Sequence, residues 1–160
     1  MENSAFHSLI GRLDHAVFIV TKIGHGERSG CLIGFATQTS IRPPRFLACI
    51  SDKNHTFRVA RSASHMAVHV VPEDRMDVAE VFGGETGDQE DKFAEVEWHE
   101  GPEGLPLLDA CPSWFAGRIV ERLPLGDHAG HLLEPFAGND AGDRPLGFRR
   151  AMKIEPGHEA

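Results

Sequence analysis

With 160 residues, 24 acidic side chains against 16 Lys and Arg, and a net charge of −8, the chain is sized for one domain and lacks the basic face of a general nucleic-acid binder. Its 41% hydrophobic content supports a core, yet no apolar run reaches the roughly 18 residues that suggest a membrane span, and residues 1–11 lack the basic start and apolar run of a signal peptide. The three cysteines, Cys31, Cys49 and Cys111, are too few and too scattered for a disulfide framework or a structural zinc site, so a cytoplasmic chain is expected.

Residues 5–13 place Phe6, Leu9, Ile10 and Leu13 at helical spacing. Residues 15–23 (HAVFIVTKI) switch to β-branched and aromatic side chains, which suit a strand. A turn at residues 24–27 and a second strand over residues 30–35 complete a predicted hairpin. Pro43 and Pro44 punctuate the next loop, because neither can donate a ladder hydrogen bond. Residues 45–51 (RFLACIS) predict a third strand, after which Asn54 or Thr56 caps a short helix to about residue 62. A strand over 65–71, a helix over 72–82 and a polar, Gly-rich loop over 83–90 follow. Residues 96–99 suggest a short strand and 102–112 an irregular, proline-punctuated stretch. Residues 113–123 and 128–137 read as a hairpin across the Gly126-Asp127 turn, with Pro135 expected to interrupt its ladder. The end reads as a weak strand and a polar tail. Six or seven strands joined mostly by turns, without regular strand–helix alternation, predict a mainly β, antiparallel barrel with short inserted helices.

Three stretches could carry chemistry. Residues 34–41 (GFATQTSI) crowd the hydroxyls of Thr37, Thr39 and Ser40 and the amide of Gln38 into one segment, which could lie against a flat heteroaromatic ring or a phosphate, or be a polar strand end. Residues 51–56 (SDKNHT) end a strand and open a predicted helix. Lys53, His55, Arg58 and Arg61 there suit an anion, or simply a capped helix with a solvated basic face. Gly126-Asp127-His128 is either plain turn chemistry or a turn that presents a ring to a ligand. The ten histidines form no H-E-x-x-H and the cysteines no C-x-x-C, so no metal site is expected. A P-loop and a G-x-G-x-x-G fingerprint are absent as well.

Taken in order, residues 34–44 (GFATQTSIRPP), 49–56 (CISDKNHT), 66–74 (MAVHVVPED), 91–94 (DKFA), 104–108 (GLPLL) and 126–128 (GDH) resemble the flavin reductase-like family, whose members adopt an FMN-binding split β-barrel. The resemblance runs from about residue 6 to about residue 148, and its order and spacing carry it. It implies one domain over residues 1–150 with a polar tail at 151–160. It implies that Gly34, Phe35, Ala36, Thr37, Gln38, Ser40 and Ile41 wrap the isoalloxazine and ribityl chain. Ser51, Asn54, His55 and Thr56 would reach the flavin phosphate, Lys92 and Phe93 would add contacts, and His128 would stand beside the nicotinamide. Many members carry two serines where this chain has Gly34-Phe35.

The activity so implied is hydride transfer from NADH or NADPH to FMN, or to FAD, in a homodimer that could supply reduced flavin to a partner monooxygenase. The alternative is a flavin-binding electron carrier without nicotinamide-dependent activity. Neither nucleic acid nor membrane is an expected partner.

Overall fold

The hairpin predicted near the N-terminus forms, as β1 (Phe18–Gly24) and β2 (Glu27–Ile33), paired antiparallel from Phe18↔Ile33 to Gly24↔Glu27. Only His25 and Gly26 lie between the strands, at φ 51° and 78°, the left-handed pair that a tight type I′ turn requires. The computed structural model describes residues 3–84 and 91–153. Of the loop predicted over residues 83–90, the first two residues belong to a helix and 85–90 lie outside the described residues, as does most of the predicted tail.

Around this hairpin stand α1 (Ser4–Ile10), β3 (Ala36–Ser40), β4 (Arg45–Ser51), α2 (His55–Ala60), β5 (His65–Val70), α3 (Met76–Gly84), β6 (Trp98–Glu100), β7 (Pro106–Leu108), β8 (Trp114–Pro124), β9 (His128–Asn139) and α4 (Phe148–Ala151). The main sheet has seven strands in the order β2-β1-β5-β8-β9-β4-β3, with antiparallel neighbours throughout. β6 and β7 form a separate two-stranded ribbon. The mainly antiparallel class read from the sequence is therefore the class observed.

Alternation along β1 divides the core in two. Ile19 packs outward with Val71, Val78, Phe82, Phe93 and Leu108, beneath α3. Val20 points the other way, to Cys31, Ala48, Ile50, Met66, Val68 and Leu133. Since these come from β1, β2, β4, β5 and β9, the sheet curls around them. The same interior takes Lys22 and His131, both essentially without exposure.

Several expectations are corrected. The weak terminal strand is the helix α4, whose Ala151 is buried among apolar side chains. α2 (His55–Ala60) starts where its Asn54 cap predicts and ends two residues early, whereas α3 (Met76–Gly84) is displaced from the expected 72–82. The irregular stretch at 102–112 contains β7, which only its pairing with Trp98–Glu100 reveals. β9 runs through Pro135 because the ladder slips there. Ala116 pairs with Ala137 and Gly117 with Pro135, leaving Phe136 as an extra, bulged residue.

Candidate active site

β2 does not simply end at Ile33. Gly34 and Phe35 carry the chain across to β3, and Phe35 accepts a hydrogen bond from the Cys49 N–H at 3.0 Å. This junction lies beside the end of β4 and the start of β9, because Ser51 pairs with His128 and the Asp52 N–H donates to the Asp127 carbonyl at 3.0 Å. The result is that Phe35, Ser51 and His128, more than ninety residues apart at the extremes, meet. The Phe35 and His128 rings are 4.9 Å apart, tilted by 48°. His128 Nδ1 lies 2.8 Å from the Asp127 carboxylate, and this hydrogen bond holds the Asp127 carboxyl below its usual range. An Nδ1–H donated to that carboxylate leaves Nε2 as an acceptor.

The ladder of rings continues backwards. Phe148 of α4 is stacked 6.2 Å from Phe35, and His15 is stacked 4.7 Å from Phe148. His15 Nε2 donates to the Gly34 carbonyl at 2.7 Å. Phe148 explains Gly34: a Cβ there would lie 2.3 Å from the phenyl ring. Gly34→Ser should therefore lower the unfolding free energy by about 1–3 kcal/mol. In combination with Phe148→Ala the two losses should fall short of their sum. Urea unfolding of the single and double variants measures this, and strict additivity would remove the clash as the reason for the glycine.

The rest of the polar segment lies along β3, an edge strand. Thr37, Gln38 and Ile41 are exposed, Ala36 and Ser40 partly buried. Thr37 Oγ1 donates to the Gln38 carbonyl and Gln38 Nε2 to the Ser40 carbonyl, each at 3.2 Å. The pairing slips between Gln38 and Ser40, a bulge that re-aims the side chains around it.

Past Ser51 the loop turns into α2. Asn54 caps it, its side chain accepting from the Thr56 N–H at 2.8 Å. Of the two caps considered from the sequence, Asn54 is the one used. Beyond the cap, His55 and Thr56 line a cleft of about 330 Å³ with residues 26–30, Asp91, Lys92 and Phe93. His55 Nε2 is paired with the Glu27 carboxylate and its Nδ1 accepts from Arg58 Nη2 at 3.0 Å. The Asp91 side chain accepts from the Phe93 N–H at 3.0 Å. Lys92 is buried, and its ammonium donates to the carbonyls of Gly30 at 3.3 Å and Phe82 at 3.2 Å, tying β2 to α3.

The residues named from the sequence thus fall into three sets. Gly34, Phe35, Ser51 and His128 converge; His55, Thr56, Lys92 and Phe93 share the cleft; Thr37, Gln38, Ser40 and Ile41 lie along the edge strand. Asn54 joins the first two sets through its cap. The sequence reading missed Phe148, Arg28 and Ser29. Phe148 lay in a segment read as a weak strand, and the other two sit in a hairpin that carries no motif. Ser29 lines the cleft, and its buried Oγ has no hydrogen-bond partner among the described residues, which suits a phosphate oxygen.

Comparison with known proteins agrees with this geometry. The chain is 28% identical over 141 residues to "Probable flavin reductase" of Rhizobium meliloti (strain 1021), covering 86% of this chain and 44% of that protein. It therefore spans less than half the length of that relative. It is 30% identical over 131 residues to the 4-hydroxyphenylacetate 3-monooxygenase reductase component of Pseudomonas aeruginosa PAO1, covering 81% of this chain and 77% of the relative. The solved flavin reductase domain protein from Arthrobacter sp. FB24 superposes with a TM-score of 0.80 at 23% identity, over 92% of this chain and 91% of that one, which shows a shared fold. The family profile of the flavin reductase like domain matches residues 10–153, nearly the whole chain, and the protein belongs to that family.

Proposed function

We propose that this chain is an NAD(P)H-dependent flavin reductase that binds FMN, with FAD as the larger alternative, and passes hydride from the nicotinamide to the flavin. The observation that carries the reading is the convergence of Phe35, Ser51 and His128 at one strand junction. A flat ring over that junction would meet the Gly34–Phe35 backbone and have His128 at its side. Its phosphate end would follow the loop from Ser51 to Thr56 into the cleft. The cofactors supply the redox chemistry, and the protein supplies alignment of the reacting atoms. His128 is the residue assigned to the nicotinamide side. Asn54 and Thr56 fix the loop, and Lys92 and Phe93 form the cleft wall.

The reductase-component relative supports a second part of the proposal, that the reduced flavin serves a partner monooxygenase. Exposed Ile41 and Phe136 support a homodimer, since a second copy would cover them. Three free cysteines suit a reducing, cytoplasmic setting. Among the described residues no helix is long and apolar enough to cross a membrane.

The test is the absorption spectrum of the purified protein, identification of released flavin, and NADH and NADPH oxidation with and without added FMN. Flavin-dependent oxidation is the expected result. Flavin binding without oxidation by either donor would leave an electron carrier instead, and no flavin binding would end both readings.

A further inference from the structure

We propose that Arg28 and Ser29 bind the phosphoryl group of the flavin and make the protein selective for FMN over riboflavin, an inference that rests on the flavin reductase reading above. Both residues line the same cleft as His55, Thr56 and Lys92. Side chains of neighbouring strand residues point to opposite faces, which would ordinarily separate the two. β2, however, is an edge strand of the main sheet. A ligand that arrives at the open edge meets side chains from both faces.

Arg28 is held for this use. Its guanidinium carbon lies 4.7 Å from the centre of the Trp98 ring and 5.9 Å from that of Phe93. Those two rings stand edge to face at 5.8 Å. These contacts hold the guanidinium carbon in place, and a guanidinium carries N–H groups enough to meet two phosphate oxygens at once. Among the described residues no carboxylate pairs with Arg28, although Glu27 and Asp91 line the cleft. Glu27 is taken by His55, and Asp91 by the Phe93 N–H. Among the described residues of the cleft, Arg28 is thus a cation set on aromatic rings without a carboxylate partner.

Ser29 supplies the independent observation. The residue is 5% exposed and its hydroxyl has no hydrogen-bond partner among the described residues. A buried hydroxyl left unpaired is costly, and it is rarely retained without a use. A phosphate oxygen entering the cleft would accept that hydroxyl proton. Riboflavin, which lacks the phosphate, would leave both Ser29 and Arg28 unengaged.

The experiment is titration of the full chain with FMN and with riboflavin, followed by flavin fluorescence, for the parent, Arg28→Gln, Arg28→Lys and Ser29→Ala. Arg28→Gln should weaken FMN about tenfold or more and leave riboflavin unchanged, since a charge-assisted bidentate contact is lost from one ligand alone. Arg28→Lys should recover part of the preference, as a charge without the fork. Ser29→Ala should reduce the preference by a smaller factor in the same direction. Thermal midpoints of the variants separate a purely structural role for the Arg28–Trp98 stack, which would lower stability and spare the ratio of the two affinities. A parent-like ratio in Arg28→Gln and Ser29→Ala, with FMN bound by the parent, overturns this inference and leaves the reductase reading intact. A parent that binds neither flavin overturns both.

Discussion

His128→Ala should reduce flavin about 10–100-fold more slowly with NADH and NADPH, while its affinity for flavin stays near that of the parent. The factor corresponds to about 1.4–2.7 kcal/mol of transition-state positioning. His128 is placed to act on geometry. It opens β9, pairs with Ser51, touches Phe35 through its ring, and is oriented by the Asp127 carboxylate at 2.8 Å. These contacts lie outside the cleft that holds His55 and Thr56 and takes the phosphate end, so affinity should fall far less than rate. Dithionite needs no nicotinamide pocket and should reduce the variant at the parent rate. Anaerobic stopped-flow mixing with each donor supplies the measurement. Reduction at the parent rate by both donors would mean that His128 only completes a turn and that the nicotinamide docks elsewhere.

Lys22→Met should stabilise the protein, by on the order of 3–5 kcal/mol at pH 7. Lys22 is fully buried inside the curled sheet and its Nζ has no hydrogen-bond partner among the described residues. Loss of hydration pushes its pKa down from 10.5 to about 7, with Arg122 acting in the same direction and Cys31 against it. His131, its neighbour in the interior, is likewise pushed down to about 4 by burial first and by Lys22 second. Below pH 7 both the folded and the unfolded chain carry the Lys22 proton, and the folded state bears the full cost of burying it. Between about 7 and 10.5 only the unfolded chain holds the proton, so this contribution to stability rises with pH. The advantage of the methionine variant should accordingly shrink as pH rises from 7 to 9.5. Taking the difference between parent and variant cancels Cys49 and Cys111, whose thiols are raised by burial in both, whereas Cys31, which Lys22 pulls down against burial, does not cancel. Urea unfolding at several pH values tests this. An advantage that is constant across the range, or a variant less stable at pH 7, would show that the amine is solvated or paired in the folded protein.

What the sequence revealed follows the range over which each signal acts. Local chemistry was readable: the His25-Gly26 turn, the RFLACIS strand and the Asn54 cap all form from residues within a few positions of one another. Strand β7 was not, because Pro106–Leu108 has no pattern of its own and becomes a strand only against Trp98–Glu100. Pro135 misled because a proline forbids one ladder hydrogen bond, and the chain meets that demand with a bulge rather than by ending β9. At the site, the sequence motifs marked His55, Thr56, Lys92 and Phe93 through family resemblance, and the cleft gathers them. Arg28 stayed hidden because its meaning comes from Trp98, seventy residues on, whose ring holds it. Lys22 stayed hidden for a related reason. A lone lysine in a strand reads as solvated, and only the closing of the sheet buries it.

Gly34 and Phe148 have a consequence beyond this one chain. A Cβ at the first position and a phenyl ring at the second compete for the same volume, at a separation of 2.3 Å. Where a homologue carries a serine at the position of Gly34, the position of Phe148 should hold a smaller side chain, or its terminal helix should be set further out. The two sites should thus covary across an alignment although they are more than a hundred residues apart. The substitutions should appear in that order of tolerance too, with the ring lost before the side chain is gained, since the reverse route passes through an overpacked intermediate.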